Sequence, residues 1–237
     1  MTVERGNGWE MHMGDCIEVM PTLGRFDAVV TDPPYGVGLG SHGGAKDGRH
    51  DHVLVKGGYA SHDDSPEAFA DVADRISMAI GCAKRAAVFM FASSFAQLPK
   101  PDALGGVYLP AACGRSRWGY TSLAPVLFYG AAPALHLGAK PTCIVSTETA
   151  EKNGHPVPKP IGWMLWLVGI ASLDGETILD PFAGSGTTGV ACLRLGRRFV
   201  GIEKDPGYFK LACDRLRAEE QNSTLAAARA GQEALFK

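Results

Sequence analysis

Much that would mark a membrane, secreted or metal-dependent protein is missing from these 237 residues. The longest apolar stretch, Ile161 to Leu173, has 13 residues, short of the roughly 20 that a membrane-crossing helix needs. The N-terminus lacks the charged, apolar and small-residue order of a leader. No Cys-x-x-Cys pair occurs among the 6 cysteines at 16, 82, 113, 143, 192 and 213. Reduced thiols in a cytoplasmic protein are therefore expected, with neither a disulfide framework nor a zinc finger. His-Glu-x-x-His is absent as well. Of the 7 histidines, His42, His50, His52 and His62 share one segment without a downstream Cys/His pair, so no metal is expected. Net positive charge is also wanting, since 23 basic and 25 acidic residues leave −2.

What is present reads as one α/β domain. With 46% hydrophobic residues the chain can fill one sizeable core, and apolar runs alternate between strand and helix periods. The expected order is a strand at 10–15, a helix at 16–23 and a strand at 26–31. A helix at 66–84 and strands at 86–92, 125–129 and 142–146 follow. A helix after Pro160, strands at 177–180 and 198–202 flanking a helix at 189–195, and a last helix at 206–219 complete a doubly wound pattern. The domain is expected to span 1–220, with an Ala-rich tail at 221–237. Gly36 to Pro66 reads as a mobile loop, because its glycines, histidines and few apolar residues bury little surface.

Two segments carry chemistry. The strand Phe26 to Thr31 ends on Asp32-Pro33-Pro34-Tyr35, which sets a carboxylate, a stiff run of carbonyls and an aromatic face at the carboxyl edge of a sheet. Asp32 and the Pro33 carbonyl can each accept a hydrogen bond from an exocyclic amino group. Tyr35 offers a stacking face for a flat base, and Pro34 restricts Pro33. Downstream, the strand Thr177 to Asp180 runs into Pro181-Phe182-Ala183-Gly184-Ser185-Gly186-Thr187-Thr188. Gly184 and Gly186 allow close approach to a ligand at the start of a helix. The next strand ends on Glu203, 23 positions after Asp180, where an acid is placed to grip ribose hydroxyls. The phosphate-loop ending Gly-Lys-Ser/Thr is absent, and Gly189 is not counted here as the third glycine of a dinucleotide turn. A nucleoside-bearing cofactor is the reading.

Together these segments resemble the S-adenosylmethionine-dependent DNA amino-methyltransferases, specifically their circularly permuted β class, in which the catalytic motif precedes the cofactor turn. Two further stretches support the resemblance: Gly14-Asp15-Cys16, similar to the family's Gly-Asp-Cys element, and His155-Pro156-Val157-Pro158-Lys159-Pro160, similar to its His-Pro-Thr-Gln-Lys-Pro segment. Val157 and Pro158 depart from that pattern. The resemblance implies a Rossmann-like, doubly wound mixed sheet and S-adenosylmethionine as methyl donor. It implies Asp32, Pro33, Pro34 and Tyr35 as catalytic, and Asp15, Cys16, Lys159, Asp180, Phe182, Gly184, Ser185, Gly186, Thr187 and Glu203 as cofactor-binding. Asp180 would accept from the cofactor's ammonium, and Lys159 would help hold its methionine end.

The activity so implied is methylation of the exocyclic amino group of a base flipped out of double-stranded DNA. Asp at the first motif position favours adenine N6 over cytosine N4. RNA bases or protein glutamine remain alternatives for the same acceptors. Cytosine C5 chemistry is excluded because no cysteine follows a proline. Expected partners are DNA and a second copy of the chain, with no membrane. From Arg75 to Lys159 nine basic residues face three acidic ones, a local surplus that could meet phosphates. Arg115 to Tyr120, within a 99–140 region available for DNA recognition, is its densest piece, and Lys46, Arg49 and Lys56 add to it.

Overall fold

The computed structural model of the chain describes residues 2–35, 69–90, 92–111, 114–116, 119–133, 138, 140–150 and 158–235. The strands, in chain order, are β1 (Thr2–Gly6), β2 (Trp9–Met13), β3 (Phe26–Thr31), β4 (Ala83–Phe89), β5 (Ala103–Tyr108), β6 (Gly114–Ser116), β7 (Gly119–Thr121), β8 (Leu123–Tyr129), β9 (Cys143–Val145), β10 (Thr177–Asp180) and β11 (Arg198–Glu203). The helices are α1 (Cys16–Val19), α2 (Phe69–Gly81), α3 (Ile161–Ala171), α4 (Thr187–Arg194) and α5 (Pro206–Leu235).

Nine strands form one sheet in the order β1-β2-β11-β10-β3-β4-β8-β5-β9, and β6 and β7 pair separately. From β2 to β4 the neighbours run parallel; β1, β8 and β5 pair antiparallel with β2, β4 and β8, and β9 returns parallel to β5. Helices cover both faces, which is why the central strands read as continuous apolar runs. In β3, Ala28 and Val30 enter one core while Val29 enters the other. The first core is closed by α3, α4 and α5, and the second by α1 and α2. On α2 the buried residues Phe69, Ala73, Ile76 and Ala79 fall on one helical stripe. No such stripe exists on α3, which is apolar all round and packs between the sheet and α4.

The winding reverses between β10 and β3. From β3 the chain crosses through α2 to β4 on one face, while from β10 it crosses through α4 to β11 on the other. The carboxyl ends of β3 and β10 therefore diverge into a crevice, the place where open α/β sheets bind ligands. Among the described residues no helix is long and apolar enough to cross a membrane.

Several elements differ from the sequence expectation. Strand β1 was not expected, since Thr2-Val3-Glu4-Arg5-Gly6 has little apolar content; it is an edge strand held by pairing with β2 and by ion pairing of Glu4 with Arg217 at 2.7 Å. Strand β5 was masked by Gly105 and Gly106. A Cβ at Gly105 would lie 1.8 Å from the Thr142 carbonyl oxygen, so only glycine admits the chain running into β9. Much of the 99–140 region is accordingly sheet scaffold, β5 and β8, with the β6–β7 hairpin standing apart. The tail set off at 221 continues α5 without a break to Leu235. The loop expected at 36–66, with its histidines and Lys46, Arg49 and Lys56, lies outside the described residues.

Candidate active site

Strand tips bring the two motifs together. Thr31, the last residue of β3, donates its hydroxyl to Asp180 at the end of β10 at 2.6 Å; Thr188 of α4 donates to the other carboxylate oxygen at 2.5 Å, and the Phe182 amide adds a third bond at 3.1 Å. Asp180 is 2% exposed. Burial pushes its carboxyl up to about 6, against the pull of its three donors. Asp180 thus braces β3, β10 and the start of α4 to one another. Both of its oxygens are engaged by protein donors, and the residue also lines the cleft over the turn.

The turn after β10 follows from its glycines. Gly184 and Gly186 have φ of 52° and 77°, and a Cβ at Gly186 would come 3.0 Å from Ala212 of α5. The Gly184 amide donates to Glu203 at 2.8 Å, and the Asp205 amide holds the other Glu203 oxygen at 2.8 Å. Burial raises the Glu203 carboxyl above its ordinary value. Gly189 does complete the G-x-G-x-x-G spacing with Gly184 and Gly186, contrary to the sequence reading: a Cβ there would lie 2.7 Å from Leu216 and Phe199. Electrostatics then separate the two kinds of ligand. The cleft over this turn, about 270 Å³, is lined by five carboxylates (Asp15, Asp32, Asp71, Asp180, Glu203) against Arg75, Lys159 and Lys204. That lining suits a cation and opposes a pyrophosphate.

At the near wall, Asp15 caps α1 by accepting from the Ile17 amide at 3.0 Å, and Arg75 of α2 donates to both its oxygens at 3.1 and 3.0 Å. The Arg75 hydrogen bonds hold the Asp15 carboxyl below its ordinary value. Burial pushes the neighbouring Cys16 thiol up to about 12, so it lines the cleft as an inert group.

Asp32 stands at the far wall, 23% exposed. One oxygen accepts the Tyr35 hydroxyl and the other the Lys159 ammonium at 2.5 Å. That ammonium lies 5.1 Å from the Tyr35 ring centroid and 5.6 Å from that of Phe89. Pro34 lines the cleft while Pro33 is buried behind it. Phe182, Ser185 and Thr187 line it too; Gly186 instead backs the turn onto α5. His155, Pro156 and Val157 lie outside the described residues.

Sequence reasoning missed three contributors. Thr31 adjoins the catalytic motif but carries no signature of its own. Arg75 lies 60 positions from Asp15, and Arg215 of α5 reaches back to the Ser185 carbonyl at 2.5 Å and the Thr187 hydroxyl at 3.1 Å. Only the fold brings them near. The surplus of basic residues between 75 and 159 also changes meaning. Arg75, Lys84, Arg85 and Lys159 pair with Asp15, Asp27, Glu176 and Asp32, and Lys140 donates to the Gly169 carbonyl. Five of the nine are thus engaged within the chain.

Comparison with known proteins agrees with this geometry. Residues 118–214 match the profile of a family described as DNA methylase. The Type II methyltransferase M2.DpnII of Streptococcus pneumoniae is 46% identical over 79 residues, which is 32% of this chain and 30% of that protein. The matched segment spans less than a third of the curated relatives' own length. In solved structures the fold recurs over most of the chain. The M1.HpyAVI–SAM complex superposes with a TM-score of 0.61 at 20% identity, covering 88% of this chain and 98% of that one. PvuII DNA methyltransferase, cytosine-N4-specific, superposes at 0.60 with 12% identity, covering 87% and 85%. These likenesses show a Rossmann-like α/β fold shared with DNA methyltransferases.

Proposed function

We propose that this chain transfers a methyl group from S-adenosylmethionine to the exocyclic amino group of a base in DNA, adenine N6 in particular. The observation that carries the reading is that Asp32, bonded to Tyr35, and the glycine turn, bonded to Glu203, line one cleft. The lining fits the cofactor: predominantly acidic walls receive a cation, Glu203 reaches the ribose hydroxyls, and the turn leaves room for backbone approach. Bound there, S-adenosylmethionine supplies an electrophilic methyl on a sulfonium, whose sulfur keeps the bonding electron pair as the methyl leaves.

The residues on the target side address the weak nucleophilicity of an aromatic amine. Its lone pair is delocalised into the ring, so acceptors must draw the nitrogen toward tetrahedral geometry. Asp32 accepts one N–H and the Pro33 carbonyl the other, while Tyr35 stacks on the base and offsets part of the cost of unstacking it. With the cofactor bound, the freed lone pair would take the methyl while the sulfur kept the electrons of the broken bond and the surplus proton left to solvent; Asp32 and the Pro33 carbonyl hold the amine for that transfer. Positioning and electrostatics supply the rate without a covalent enzyme intermediate.

Paired variants test this division of labour. Asp32→Ala should keep cofactor binding by calorimetry and retain less than about a tenth of the transfer rate. Glu203→Ala should weaken cofactor binding about tenfold, the scale of a hydrogen bond to a charged group. Full activity in the first variant, or unchanged affinity in the second, would contradict the assignment. The likeness to a cytosine-N4-specific enzyme supports cytosine N4 as the second reading.

A further inference from the structure

We propose that Lys159 serves the target side of the cleft, as the residue that fixes the Asp32 carboxylate for the incoming amine. The inference rests on the methyltransferase reading and moves Lys159 away from the cofactor, where the sequence resemblance had set it.

Three observations converge. The Lys159 ammonium donates to Asp32 Oδ2 at 2.5 Å and is 12% exposed, so the pair is largely withdrawn from water. It lies 5.1 Å from the Tyr35 centroid and 5.6 Å from that of Phe89, within reach of both rings for cation–π attraction. Tyr35 donates to the opposite oxygen, Oδ1. Asp32 is therefore gripped at both oxygens and cannot rotate freely. A carboxylate offers about four lone-pair sites, so two donors leave room for the amine's N–H. A lysine at the methionine end would pair with the cofactor's carboxylate, but the Lys159 ammonium is directed to Asp32 and the two rings. Lys159 also follows Pro158 and precedes Pro160, and the two fixed φ angles restrict how the side chain is presented.

A positioning role separates from cofactor binding by kinetics. The test uses the full chain, tritiated S-adenosylmethionine and unmethylated duplex DNA of mixed sequence. Lys159→Met should bind S-adenosylmethionine within about twofold of wild type, which also certifies its fold. Its kcat should fall at least tenfold, since small misplacements of a catalytic group typically cost about that much or more. Lys159→Arg, which keeps a charged donor, should recover part of the lost kcat. Cofactor affinity about tenfold weaker with kcat at saturation unchanged would return Lys159 to the cofactor and overturn the proposal. So would a Met variant indistinguishable from wild type in both measures. A wild-type chain that binds cofactor yet labels no DNA would sink the DNA methyltransferase reading itself, and the proposal with it.

Discussion

Asp180 shows how a residue that the sequence places beside a ligand turn also takes a structural part in the fold. An acid ending a strand before a glycine turn points to a ligand, and the sequence assigns it one; the fold adds hydrogen bonds from Thr31, Thr188 and the Phe182 amide. Its carboxyl, pushed up to about 6 by burial, holds its proton more tightly than in the unfolded chain. The stability this confers is complete below the unfolded value near 4 and is lost as pH rises through about 6. Asp180→Asn removes that titration. Measured by Tm from pH 4 to pH 7, the variant should gain on wild type as pH rises, by on the order of 3 kcal/mol over the window. A gap independent of pH would contradict the burial argument. Asp32 and Tyr35 follow the end of β3 and Glu203 ends β11, so dense motifs in the sequence already placed all three at strand tips. Arg75 and Arg215 were not legible, since their partners lie on other elements.

At the scale of elements, strand β3 is found at the predicted residues 26–31, and the parallel central strands followed from their apolar runs. What escaped was edge structure. Strand β1 and the glycine-bearing β5 lack the period-2 signal because pairing and close backbone approach, rather than burial of alternate side chains, hold them. The turn into α4 offers an element-scale test. Gly186 combines φ of +77° with a Cβ position 3.0 Å from Ala212, whereas Gly175 has φ of +74° and nothing within 4 Å. Gly175→Ala carries only left-handed strain of about 1–2 kcal/mol. Gly186→Ala adds the contact with α5 and should lower Tm further, at about 2–4 °C per kcal/mol for a chain of this size. It should weaken S-adenosylmethionine binding as well, which Gly175→Ala should not. Equal effects on both measures would mean that packing against Ala212 does not constrain the turn.

For the whole molecule, the sheet brings the two motifs to one crevice although they lie about 150 positions apart, as the Thr31–Asp180 hydrogen bond records. Order along the chain announced that meeting, with the catalytic strand first and the cofactor strand later. The charge count was less informative, because five of the nine basic residues counted between 75 and 159 are engaged by partners within the chain. With fewer of them left to meet phosphates, binding to non-target duplex should be weak and only shallowly salt-dependent, since the slope grows with the number of phosphates contacted. Amino-methylation of DNA is open to direct measurement. Unmethylated duplex DNA is incubated with tritiated S-adenosylmethionine and the chain, then digested to nucleosides and resolved. Label is expected in N6-methyldeoxyadenosine, abolished by Asp32→Ala. Label in N4-methyldeoxycytidine would overturn the choice of base, and label absent from DNA but present in RNA or protein would contradict the account.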